Sequence, residues 1–222
     1  MSTSTPQLSA PQVLVCGEAL LQAEPELADV DVTVRVRARD RETALERCRA
    51  AHDQVTAVAT AGGDAVETVE TTAVSVYLEV RDRRAPGEPV ACVQTRLTVG
   101  RLDAVGELVV ALGRLDDVEV SGPTWRLRPD SPVLEQARLD AVGDAVRRAR
   151  QYAAAFGAEL TALLEVRDAG LGGPRVAAPM AAMARFESSE LHLDLTPPRQ
   201  EVHGAVEVRF AMSEPDQEVF RA

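Results

Sequence analysis

The chain has 222 residues, enough for one large domain or two small ones. Hydrophobic content of 45% and charged content of 27% suit a folded domain, while aromatics at 3% leave the core to Val, Leu and Ala. A net charge of −11 opposes the positive field needed to displace counterions from phosphate, which argues against nucleic acid as a partner.

Residues 1–11 are rich in Ser, Thr, Pro and Gln and are expected to be disordered. They lack the basic segment and apolar core of a signal peptide, so the expected compartment is the cytoplasm. No run approaches the roughly 20 apolar residues of a membrane helix. All 24 basic residues are Arg, and Lys, Ile and Asn are absent. The absent residues have AT-rich codons, so this bias reflects a GC-rich genome and carries no function.

Val13 to Gln22 reads as a strand, with Gly17 as a candidate bulge. Val30, Val32, Val34, Val36 and Ala38 then alternate with Asp31, Thr33, Arg35, Arg37 and Arg39, a period of two that means one buried and one polar face. The arginine row reads first as a solvated face, and otherwise as a contact with an acidic neighbouring subunit. Asp40 is placed to cap a helix of about 19 residues. Its inner stripe is Leu45, Cys48, His52, Val55 and Ala59, and Gly62-Gly63 stops it. Strands from Val66 to Val80 and Val90 to Val99 flank a Pro86-Gly87 turn and predict a hairpin. Val74, Val76, Leu78 and Val80 share one face. Asp103 is placed to cap a short helix with Val105, Leu108, Val109 and Leu112 inward. Val118 to Arg128 reads as a strand interrupted by Gly122-Pro123.

The longest helical pattern runs from Ser131-Pro132 to Gly157, with proline in the first turn and glycine at the left-handed end. Its apolar stripe reads as Leu139, Val142, Val146, Ala149, Ala153 and Phe156, with Asp140, Asp144, Arg147 and Arg148 on the wet side. A strand from Glu159 to Arg167 follows. Residues 169–188 form a Gly/Ala/Pro/Met segment that is long for a loop and therefore a candidate binding element. Leu191 to Leu195 and Val202 to Met212 alternate on either side of Pro197-Pro198, and residues 213–222 read as a loose tail. Strand–helix–strand recurs around 30–80 and 90–128. The pattern predicts an α+β fold of mixed, largely antiparallel sheets with one face covered by three helices. The domain spans 12–212, and sub-domains at 12–100 and 101–212 are left open.

Several stretches resemble one family. Val15-Cys16-Gly17-Glu18 through Ala23-Glu24-Pro25-Glu26-Leu27-Ala28 is similar to the opening motif of SIMPL-domain proteins, with Ala19 and Glu26 replacing the usual glycine and aspartate. Leu134 to Leu160, Pro179 to Arg185 and Val202 to Phe210 resemble the family's Ala/Arg helix, its Pro/Met/Ala loop and its closing strand. The resemblance implies a widespread bacterial α+β domain of unknown molecular role. Many members are periplasmic or secreted, some form homo-oligomeric rings, and some are linked to oxidative stress. It implies no catalytic residues, metal or cofactor.

The residues themselves show no GxSxG, HExxH, Walker or GxGxxG pattern. Gly170-Leu171-Gly172-Gly173 reads as a flexible loop. His52 reads as structural. A hairpin turning at Pro197-Pro198 places His192 opposite His203 and Asp194 beside Glu201, the one candidate metal cluster. Cys16, Cys48 and Cys92 read as buried, inert thiols, with Cys48 the weak redox candidate because Arg47 and Arg49 flank it. In the 169–188 loop, Met180 and Met183 are candidate docking residues. A non-enzymatic, self-associating protein is therefore expected. A protein- or ligand-binding module using the 169–188 loop is the alternative, and a metal-dependent enzyme at His192 and His203 the lesser one.

Overall fold

Alternation along β2 (Leu27–Arg37) organises one sheet, and its Val30, Val32, Val34 and Val36 are each at most 1% exposed. The computed structural model describes residues 10–80, 87–168, 172–175 and 193–221. Over these residues the chain forms two compact units, each discontinuous in sequence. One holds 10–23, 129–168, 172–175 and 200–221. The other holds 24–80, 87–128 and 193–199.

The second unit contains a four-stranded antiparallel sheet. β2 lies between β4 (Glu88–Val99) and β5 (Val118–Arg126), and β3 (Val66–Glu79) lies outside β4. β3 and β4 are consecutive and antiparallel, as a hairpin requires. α1 (Arg41–Ala61) begins at Asp40, whose carboxylate accepts from Thr43 N at 2.8 Å and from Thr43 Oγ1 at 2.9 Å. The helix buries Ala44, Cys48, Ala51, Val55 and Ala59 against the valines of β2 and against Ala91, Leu97 and Val99 of β4. Leu45, expected inside, is exposed. α2 (Val105–Gly113) adds Val105, Leu108 and Leu112. Its N-terminus is not capped by Asp103, which lies one residue before the N-cap position, Ala104, within a 3-10 segment, Leu102–Ala104.

The opposite face of this sheet carries the charges. Arg96 reaches Asp31 at 2.9 Å, Arg126 reaches Asp29 at 2.6 Å, and Arg35 and Arg37 both pair with Glu79 of β3. Acidic partners for Arg35 and Arg37 thus lie within their own sheet, and the strand ends before Arg39. Residues 193–199 form no strand, contrary to the alternation of 191–195. Leu193 lies against α2 instead, where a Cβ at Gly106 would strike its carbonyl, and Leu195 packs on the core of this unit.

In the first unit β8 (Gln200–Met212) lies between β1 (Gln12–Ala23) and β6 (Leu160–Asp168), with short β7 (Gly172–Arg175) also paired to β8. β1 pairs with β8 from Gln12↔Ala211 to Ala23↔Gln200 without a break, so Gly17 is no bulge. Its role is close approach. A Cβ at Gly17 would sit 2.7 Å from the Ala145 Cβ of α3 (Pro132–Ala155), and one at Gly204 would sit 2.5 Å from the Ala137 carbonyl carbon.

α3 lies directly on the backbone of β1 and β8. Its buried face is accordingly the small-residue stripe Ala137, Ala141, Ala145, Ala149 and Ala153, joined by Asp144. This corrects two expectations. Leu139 is 58% exposed and Val142 42% exposed, while Asp144, expected on the wet side, is buried. The helix ends as expected. Gly157 has φ +64°, with Ala158 N bonded to Ala153 O and Gly157 N to Ala154 O, the paired bonds of a Schellman cap. The end of the chain is not loose over Gln217–Arg221, which forms a 3-10 turn. Phe220 there stacks on Phe156 with centroids 6.2 Å apart.

Candidate functional site

The histidines do not assemble a metal centre over the described residues. His203 on β8 is half-buried and stands opposite Leu20 of β1 and Gly172 of β7, while Glu201 stands opposite Gln22 and Arg175. His192 lies outside the described residues. With 193–199 irregular, the expected cross-strand pair of Asp194 and Glu201 does not form. Among the described residues no group of three or more His, Cys, Asp or Glu side chains is placed to hold a metal ion. His52 lies 3.1 Å from the buried Thr95 hydroxyl, which satisfies that hydroxyl inside the α1–β4 contact.

The cysteines differ from one another. Cys48 is buried as expected, Cys92 is half-buried, and Cys16 is exposed, contrary to expectation. Burial, with smaller contributions from Cys92 and Asp117, pushes the Cys48 thiol above its ordinary pKa. That is the direction away from a reactive thiolate. The adjacent Arg47 is held 2.8 Å from Asp117.

What the fold presents instead is a set of strand edges, each treated differently. A free edge offers unpaired N–H and C=O groups as a template for another strand. On β1 two of these groups are occupied by α3. Glu18 N–H donates to Asp144 Oδ2 at 3.1 Å, and Arg148 Nη1 donates to Cys16 O at 3.1 Å. Asp144 is itself clamped by Arg147 and by Arg148 Nε at 2.9 Å. The Glu18 N–H bond, ahead of the two guanidinium groups, holds its carboxyl below the usual carboxylate range. On β5, Pro123 offers no N–H, and the register with β2 shifts between Asp29 and Asp31. On β6 the register shifts twice, between Leu160 and Ala162 and between Leu163 and Glu165.

β3 is the exception. After shifts near Glu67 and Thr72, Ala73–Glu79 pairs without a break with Gln94–Glu88. Val74 lies opposite Val93 and Val76 opposite Ala91, so these valines share the face of the sheet on which α1 packs. α1 covers β4 and β2 and leaves β3 overhanging. Val74, Val76, Leu78 and Val80 therefore remain between 37% and 65% exposed. Between Val74 and Val76 of this row and Leu45, Cys48 and His52 of α1 runs an apolar groove of about 270 Å³. Leu163 and Val166 of β6, 59% and 54% exposed, make a shorter apolar edge in the other unit.

The sequence reading found the apolar row of β3 through its period of two. It missed Asp144 and Arg148, whose only local signal was an acid four residues before an arginine on one helix.

The family model of SIMPL, a protein family of unknown function (DUF541), matches residues 13–210. The chain belongs to the SIMPL family. No curated protein matches it. In this SIMPL chain the matched span runs from β1 to the late residues of β8, so it takes in all eight strands and all three α-helices of the described residues. Of the segments that carried the resemblance, Pro179 to Arg185 lies outside the described residues. So does most of the 169–188 loop, including Met180 and Met183, while Gly172–Arg175 within it forms β7. No described helix is long and apolar enough to cross a membrane.

Proposed function

We propose that this SIMPL chain works by self-association and not by catalysis, as a homo-oligomeric scaffold. One observation carries the reading: a long edge strand, β3, with an unbroken backbone stretch and a row of exposed Val and Leu side chains. Exposed apolar rows on open edges favour strand addition or aggregation unless a partner covers them. Two edge groups of β1, Glu18 N–H and Cys16 C=O, are taken by Asp144 and Arg148, so edges in this chain are individually managed. Symmetric homo-oligomers are the commonest soluble assemblies, and the surface they bury is of this kind. Light scattering of the purified protein tests the reading. A mass above that of one chain at micromolar concentration supports it, and a single-chain mass throughout contradicts it.

The groove between α1 and β3 favours a second reading, a module that binds a small apolar ligand. Its polar content is low, and His52 and Arg49 stand at its lining. That reading expects a monomer whose thermal stability rises on adding the ligand. It also extends the expectation of a binding module from the 169–188 loop to a described surface.

A further inference from the structure

We propose that β3 pairs antiparallel with β3 of a second copy about a two-fold axis through Val76, joining the two four-stranded sheets into one continuous sheet. The inference rests on the self-association reading and adds the partner strand and its register.

The backbone sets the register. The stretch of β3 without a bulge runs Ala73–Glu79, and its midpoint is Val76. An antiparallel pairing of two identical segments uses the whole stretch only when it is centred there. Val76 then faces Val76, Val74 faces Leu78, Ser75 faces Tyr77 and Ala73 faces Glu79. A two-fold axis perpendicular to the sheet keeps the same face up in both copies. The exposed apolar row of one copy therefore meets that of the other on the α1 side, as directly opposed cross-strand neighbours. Leu45, 47% exposed on α1, lies on this side in each copy and borders the groove that the pairing extends.

The charges allow it. No acidic residue faces another in this register, and Glu79 already pairs with Arg35 and Arg37 of its own sheet. This matters in a chain of net charge −11, where a random meeting of surfaces sets acid against acid. β3 and β6 each carry two register shifts, but the unbroken stretch that follows them is longer in β3, Ala73–Glu79, than in β6, Glu165–Asp168. β1 has two edge groups taken by helix side chains, and β5 holds Pro123.

Charge-swap variants at the axis test this. Val76→Lys alone and Val76→Glu alone place like charges across the two-fold, and each is expected to show at most half the wild-type mass by light scattering. Mixing the two proteins is expected to restore the mass, because only residue 76 facing itself makes the two charges complementary. Folding is checked by circular dichroism. If either variant fails to fold, Val74→Lys mixed with Leu78→Glu tests the same register at more exposed positions. An associating wild type whose variants keep their mass, or whose mixture does not recover it, overturns the pairing while leaving self-association intact. A wild type that stays a single chain overturns both.

Discussion

Two glycines and one aspartate decide how α3 sits in its unit. Gly17 and Gly204 leave no side chain where the helix backbone passes, and each is replaceable only if the helix moves. Gly17→Ala is expected to lower stability by about 1–3 kcal/mol, the usual cost of overpacking, read as a lower urea midpoint. Asp144 adds a pH dependence. Its folded-state pKa is lowered, first by the Glu18 N–H and then by Arg148 and Arg147. Its contribution is therefore complete above the unfolded carboxylate value, about 3.9. It is lost as pH falls through the lower folded value. Asp144→Ala should reduce stability at neutral pH and leave it unchanged in strong acid. An equal loss at both ends of the range would contradict the role. Neither feature was legible in the sequence. Glycine in a strand reads equally as a bulge, and the partner of Asp144 lies 126 residues earlier in the chain.

At the scale of elements, local signals were readable and facing was not. The period of two in β2 and β3, the Asp40 cap of α1 and the Pro132 start and Gly157 end of α3 all follow from contacts within a few residues. The buried face of α3 depends on what lies beneath it. Leu139 and Val142 are the more hydrophobic candidates, yet a helix resting on glycine backbone has room only for alanine. Leu139→Ser should therefore change stability by no more than about 0.5 kcal/mol. Ala145→Leu should cost about 1–3 kcal/mol, with both measured by urea unfolding. The strand expected over 191–195 failed for a related reason. Alternation marks one wet and one dry side, and Leu193 and Leu195 satisfy it by packing on α2 and the core beside it instead of pairing.

For the whole molecule, the division into two units left no local trace, because the chain leaves one unit after Ala23 and returns at Pro129. What the sequence did expose was the row that the fold leaves uncovered on β3. A net charge of −11 opposes the approach of two copies, so association through that row should strengthen as salt screens the repulsion. Light scattering across protein concentration, at low and at physiological salt, measures this directly. The expected result is a mass that rises above 23.8 kDa toward a defined multiple and does so at lower protein concentration when salt is added. A mass that stays at 23.8 kDa under every condition would contradict it.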